Sequence, residues 1–225
     1  MKAMNSGVVT EAKPTDLGRS ARKRAAILDA ARDLFLQRGY GGTSMDDVAA
    51  RAGVSKQTVY KNFADKQRLF TEVITSDVGQ VDDSTQAQMA AMPDTDDVPG
   101  DLRVFARWHL THVMQPSRLR LRRMLIGEAD RFPELAQTWY ASGPEQSCAE
   151  FARRFTTWGR RGLLRVPDPL LAAQHFNWLV LSIPLNKAMA YPVDDPLFTE
   201  AELHHYADEA VRVFLAAYGV PDPRT

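Results

Sequence analysis

A chain of 225 residues, 44% apolar and 25% charged, is long enough for a sizeable core, and its single cysteine, Cys148, excludes an internal disulfide and favours a reducing cytoplasm. No apolar run approaches the roughly 18 residues of a membrane span, and the first residues lack the basic-then-apolar order of a signal peptide, so a cytoplasmic chain with no membrane partner is expected. The net charge of +0 conceals a split, since residues 1–66 carry 12 Lys+Arg against 7 Asp+Glu and the remainder 16 against 21, as suits a chain that meets phosphate at one end only.

Residues 1–18 mix Gly, Ser, Thr and Pro without a period and are predicted to form a mobile tail. From Arg19 onward the apolar spacing is helical nearly throughout. No segment alternates as a strand does, so the fold class is all-α. A leading helix aligns Ile27, Ala31, Leu34 and Phe35. Ser44 can cap a short helix from Met45 to Ala52, with Asp47 three positions on as its capping-box partner. Gly53 ends that helix in a left-handed conformation, Val54 plugs the turn, and Ser55 caps a helix from Lys56 to Asn62. Val59 and Phe63 face inward. Lys56, Gln57, Thr58, Tyr60, Lys61 and Asn62 are left outside, and a short helix showing donors and basic groups to solvent suits a DNA major groove.

The leading helix, Gly39-Tyr40-Gly41-Gly42-Thr43-Ser44, Gly53-Val54-Ser55-Lys56, and Thr58-Val59-Tyr60-Lys61-Asn62-Phe63 with Asp65-Lys66 together resemble the N-terminal domain of TetR-family transcriptional regulators, over about Arg19 to Phe70. A lone helix-turn-helix pattern is weak; this many concordant positions are not. Lys56 suits guanine O6 and N7, Gln57 suits adenine N6 and N7, and Thr58 suits a base or a thymine methyl. The resemblance places Tyr60, Asn62 and Lys66 at phosphates, and Thr43 and Ser44 present a helix N-terminus to a phosphate oxygen. Ser55 completes the DNA-facing set. Lys61 reads equally as a phosphate contact or a solvated face, and so do Arg19, Arg22, Lys23 and Arg24.

Beyond the head, Asp65 caps a helix from Lys66 towards Met89, and Met92 to Gly100 reads as a loop. Helices are predicted over Asp101–Met114, Ser117–Asp130 and Glu134–Ala141, the last with Pro133 as its first residue. Gly143-Pro144 kinks or interrupts the chain before a long helix to Arg161-Gly162. The stretch Leu170–Ala190 is apolar nearly all round and must be buried on more than one side. A Pro-Asp loop, Tyr191–Phe198, precedes a last helix over Thr199–Tyr218, ended by Gly219. The order Glu128-Ala129-Asp130-Arg131-Phe132-Pro133-Glu134-Leu135 is similar to one subset of C-terminal halves in the same family. The resemblance implies about nine helices in a three-plus-six arrangement. It divides the chain into a DNA-binding domain at 19–66 and a ligand-binding and dimerisation domain at 67–225.

Trp108, Trp139, Phe151, Phe155, Trp158 and Trp178, with His112, are candidates for a ligand pocket, although a core role is the plainer reading of most aromatics. Leu171, Leu179, Ile183 and Val211 are candidates for a dimer interface, since in this family the last two helices pair across a two-fold axis. Arg118, Arg120, Arg122 and Arg123 spread around one helix and are expected to pair with acidic residues. His109 and His112 have metal-compatible spacing but no carboxylate or cysteine partner nearby. No phosphate loop, nucleophile elbow or metalloprotease motif appears, so neither an enzyme nor a cofactor is expected. The expected partners are an operator duplex, a small apolar or amphipathic effector, and a second copy of the chain. The alternatives are an effector-independent DNA-binding regulator and a helical ligand-binding module with a vestigial head.

Overall fold

The computed structural model describes residues 16–92, 95–192 and 197–220, with side chains outside 16–17 and 77–86. The described part comprises ten α-helices and no strand, so the all-α class holds, with ten helices rather than about nine. In order they are α1 (Asp16–Arg38), α2 (Met45–Ala52), α3 (Lys56–Asn62), α4 (Lys66–Ala91), α5 (Val98–Val113), α6 (Pro116–Gly127), α7 (Pro133–Tyr140), α8 (Gln146–Arg160), α9 (Pro169–Ala190) and α10 (Glu200–Tyr218). No helix among the described residues is long and apolar enough to cross a membrane. Two compact units divide between Val73 and Ile74, inside α4. The expected tail lies outside the described residues up to position 15, but Asp16 to Gly18 already belong to α1.

The first unit is shaped by its caps. The Ser44 hydroxyl accepts the Asp47 amide at 3.1 Å, and the Asp47 carboxylate accepts the Ser44 amide at 3.0 Å, closing a capping box. Such a cap is worth about 1 kcal/mol. Gly53 takes φ 65°, where any L side chain would be strained, and its amide reaches back to α2 carbonyls. Ser55 then accepts the Thr58 amide at 3.2 Å and starts α3. Val54, expected to be buried, is half-exposed, and the plug of the unit is Val59 with Phe63. These two, with Ile27, Leu34, Val48 and Leu69, surround an aromatic trio in which the Phe70 ring meets Phe35 edge-on at 5.1 Å and Tyr40 at 4.9 Å.

The second unit is a helical bundle about a ring-rich core. Phe151 sits edge-on to Phe105 at 4.9 Å and to Phe176 at 5.3 Å, while Phe155 lies 5.1 Å from Phe214, so α5, α8, α9 and α10 share one cluster. Several element boundaries differ from expectation, α6 among them, which runs from Pro116 to Gly127 with Gln115 before it, where Ser117–Asp130 was expected. α5 begins at Val98 rather than Asp101, because Asp97 accepts the Gly100 amide at 3.0 Å and Pro99 occupies a first-turn position that needs no N–H donor. Of the two outcomes expected at Gly143-Pro144, the helix is deformed and not interrupted: residues 141–145 form one wide π turn that joins α7 to α8. In α9, Ala172, Ala173, Phe176, Asn177, Val180, Leu181 and Leu185 are buried, while Leu171, Trp178, Leu179 and Ile183 are exposed on the other side. An all-apolar helix therefore resolves into a core face and a bare apolar face.

Candidate functional sites: an exposed helix and a cavity

α3 holds its side chains out on a framework fixed from beneath. Gln57, Lys61 and Tyr60 are exposed, Thr58 and Asn62 half-exposed. The Ser55 and Thr58 hydroxyls lie 2.8 Å apart, and the Asn62 amide donates to the Thr58 carbonyl at 2.8 Å. Lys56 is paired with Asp46 at 2.8 Å, and this carboxylate raises its pKa. DNA contact by Lys56 therefore requires it to exchange one anion for another.

Three basic or hydroxyl candidates have structural employment instead. Thr43 is buried, and its hydroxyl donates to the Gly39 carbonyl at 3.0 Å, so only its neighbour Ser44 is presented to solvent. The Lys66 ammonium donates to the Tyr40 and Thr43 carbonyls, each at 2.9 Å, and sits 4.3 Å from the Tyr40 ring centre. It thus ties down the 39–43 turn rather than standing ready for a phosphate. Arg24 pairs with Glu72 and lies 5.0 Å over Phe63.

The second unit contains a partly enclosed cavity of about 80 Å³ between α5, α6, α7, the π turn, α8 and α9. Of the expected pocket residues, His112, Trp139 and Trp178 line it. Phe151, Phe155 and Trp158 do not: they are fully buried in the aromatic core, where neighbouring rings leave no space beside them. Trp108 stacks on His112 at 4.6 Å and lines a separate surface groove with Val104 and His204. Arg118, Arg122, Asn177 and Ser147 line the cavity and were not expected there. Asn177, a lone amide in the apolar run of α9, is the one of these that the sequence could have flagged.

Two of the four clustered arginines depart from expectation. Arg122 makes no ion pair with a carboxylate among the described residues, and its guanidinium lies 5.1 Å over the Trp139 ring. Arg123 donates to the Ala188 and Tyr191 carbonyls at the end of α9. Basic side chains spread around a helix meet whatever each face packs against, and here those surfaces are a ring and carbonyls.

His109 Nε2 lies 3.0 Å from Asn177 Oδ1, which selects the Nε2–H tautomer and leaves Nδ1 as an acceptor. That Nδ1 is buried with no hydrogen-bond partner among the described residues. Burial pushes the His109 pKa down to about 4 against the supporting Asn177 bond, with the positive charges nearby acting in the same direction as burial. Burial and Arg118 likewise take His112 to about 4. Both rings are neutral at pH 7.

A depressed histidine pKa means that the unfolded chain binds the proton first. The neutral rings therefore stabilise the fold fully above about pH 6.5, and that contribution disappears as pH falls from there to about 4. His109 alone should account for about 3 kcal/mol of the loss. Thermal melts from pH 7.5 to 4.5 should fall steeply for the wild type and less so for His109→Gln, which keeps a donor for Asn177. Identical slopes would remove His109 as the cause.

Each unit matches a known family. Residues 27–73 match the model of bacterial regulatory proteins of the TetR family, and residues 100–220 match that of the AefR-like transcriptional repressor C-terminal domain. HTH-type transcriptional regulator AcrR of Shigella flexneri is 34% identical over 108 residues, 47% of this chain and 46% of its own length. The chain thus spans about half the length of that curated relative.

Among solved structures, a TetR-family transcriptional regulator from Mesorhizobium loti is 42% identical, with a TM-score of 0.83 over 90% of this chain and 99% of its own. The flavonoid-responsive regulator FrrA is 31% identical, with a TM-score of 0.69 over 91% of this chain and all of its own. The chain belongs to the TetR family of DNA-binding transcriptional regulators.

Proposed function

We propose that this regulator is a ligand-responsive repressor. It binds a palindromic operator in the cytoplasm as a homodimer and is released by a small apolar or amphipathic effector. The observation that carries the reading is the cavity walled by Trp139, Trp178 and Leu181 in a chain that also displays α3. Residues 19–66 are assigned to DNA, and 67–225 to the effector and the second copy. FrrA, by its name, responds to flavonoids, which are flat aromatic molecules, and it is alike over nearly the whole chain. The repressor description attached to the C-terminal model supports the sign of regulation.

Binding an effector can release DNA only if the effector prefers the dimer state in which the two heads are wrongly spaced. The dimer reading rests on the bare face of α9, where Leu171, Leu179 and Ile183 stand exposed. Val211, expected beside them, belongs to the core of its own chain at 1% exposure, because α10 turns its 203, 207, 210, 211 and 214 positions inward. Val213 is the exposed apolar position of that helix.

Selection of duplexes from a random pool by the full chain should yield an inverted repeat with two chains per site. Half-sites should lie about one helical turn apart, roughly 34–36 Å, or a multiple of that. Recovery of a single, non-repeated site bound by one chain would sink the proposal.

A further inference from the structure

The cavity has an electrical character that an apolar effector would not need. Four of its wall residues are cations or imidazoles (Arg118, Arg122, His109, His112), and no Asp or Glu lines it. Arg122 decides the matter. Its guanidinium is half-buried, rests on the Trp139 ring, and has no carboxylate partner among the described residues. Burial lowers its pKa against a lesser opposing interaction with Tyr140, a sign of a cation held away from water. Desolvated charge is normally compensated by an opposite charge, and here the described residues supply the Trp139 ring face and a lesser interaction with Tyr140, but no carboxylate.

The remaining wall is apolar and aromatic, from Trp139, Trp178, Leu121, Pro144 and Leu181. One buried acceptor, His109 Nδ1, has no donor among the described residues. A ligand that completes this wall carries a delocalised anion, a flat apolar body and, optionally, a hydroxyl hydrogen.

We propose that the effector is an aromatic acid, a planar ring system bearing a carboxylate or an acidic phenol, whose anionic oxygens pair with Arg122 while its rings lie against Trp139 and Trp178. This deepens, and rests on, the reading of the cavity as an effector site. A guanidinium presents paired N–H donors to a carboxylate in a fixed fork, which a lysine would not. An ion pair formed away from water, beside a second arginine, discriminates strongly against a neutral isostere.

The cavity is smaller than the roughly 150 Å³ void that holds benzene and far below the roughly 300–1,000 Å³ of typical ligand pockets, so binding must widen it. The wall best placed to yield is the π turn at 141–145, which contributes Gly143 and Pro144, together with Trp178, whose ring is 42% exposed at the rim.

The test uses the full-length chain and matched pairs, benzoate with benzamide and 2-naphthoate with 2-naphthamide, followed by tryptophan fluorescence and calorimetry. Two of the four tryptophans line the cavity, so a signal is expected. At least one acid should bind ten-fold or more tighter than its amide. Arg122→Met should remove that preference while leaving amide binding unchanged, and Arg122→Lys should restore only part of it. The ligand-free Arg122→Met protein should also melt no lower than wild type, since it loses an uncompensated charge rather than a structural pair. A lower melting temperature would make Arg122 a structural residue and overturn the inference. Equal binding of acid and amide would overturn the anionic assignment and leave the effector site standing. Binding of no member of either pair, with unchanged chemical shifts at Trp139 and Trp178, would overturn both.

Discussion

Ile183→Asp is expected to convert a dimer into a monomer of 25.2 kDa and to remove operator binding while leaving both folded units intact. Ile183 is 60% exposed, and with Leu171 and Leu179 it stands bare along one side of α9. Scattered exposed apolar residues are ordinary, but Leu179 and Ile183 on successive turns, with Leu171 two turns before them, gather on one side of the helix, and such groupings mark interfaces. Two copies meeting through this row about a two-fold axis would bring each residue against its own counterpart or that residue's neighbours. His175 lies within this row, between Leu171 and Leu179, with its ring held 2.6 Å from the Tyr218 hydroxyl, and Gln174, Asn186 and Lys187 are exposed beside it.

An obligate interface of this type buries roughly 2,000 Å² or more. A carboxylate at its centre, doubled by symmetry, would be desolvated opposite another carboxylate. Loss of the second half-site should then weaken operator binding by about 10²–10⁴-fold. Val211→Asp is the contrasting variant: its side chain is enclosed by its own chain, so the protein should fail to fold rather than dissociate. Sedimentation of wild type and Ile183→Asp at micromolar concentration decides between them. A wild-type monomer, or an Ile183→Asp dimer, would end the two-fold model.

Sequence reasoning reaches its limit where distant packing decides. What could be read was written in local chemistry. The Ser44–Asp47 capping box, the left-handed Gly53 and the Ser55 cap each act within four residues, and all three stand in the structure as the chain order implies. The Asp65 cap is similar, its carboxylate accepting the Arg68 amide at 2.7 Å.

What escaped depends on distant packing. Trp139, Trp158 and Trp178 are equivalent in sequence. Yet Trp158 is fully buried with its ring stacked 6.1 Å from Phe155, while the other two line the cavity with residues of α6 and the π turn. Nothing local distinguishes Arg122 from Arg120 or Arg123, because what a guanidinium meets is set by the next helix. The face of α10 was legible after all, since Leu203, Ala207, Ala210, Val211 and Phe214 keep a helical apolar period that places Val211 inward.

The paired substitution Lys56→Ala, Gln57→Ala is expected to reduce binding to the selected operator by about 1–3 kcal/mol for each base that is no longer recognised, and to leave binding to scrambled duplexes much less affected. Both residues stand on the first turn of α3, the end that approaches base edges in helix-turn-helix docking. Gln57 is exposed and, with an amide that can both donate and accept, suits an adenine edge. Lys56 differs, because Asp46 already holds it at 2.8 Å. Removing Asp46 by Asp46→Ala should therefore strengthen binding to all duplexes, since it frees the ammonium and deletes a negative charge beside the phosphates.

Lys66→Met should behave differently from both. Its ammonium anchors the Tyr40 and Thr43 carbonyls, so the effect should appear as a lower melting temperature of the first unit more than as a flatter salt dependence. Titrations of each variant against specific and scrambled duplexes at several salt concentrations separate these effects. A specific-site affinity unchanged in the Lys56, Gln57 double variant would remove α3 from base recognition, and with it the assignment of the helix to the major groove.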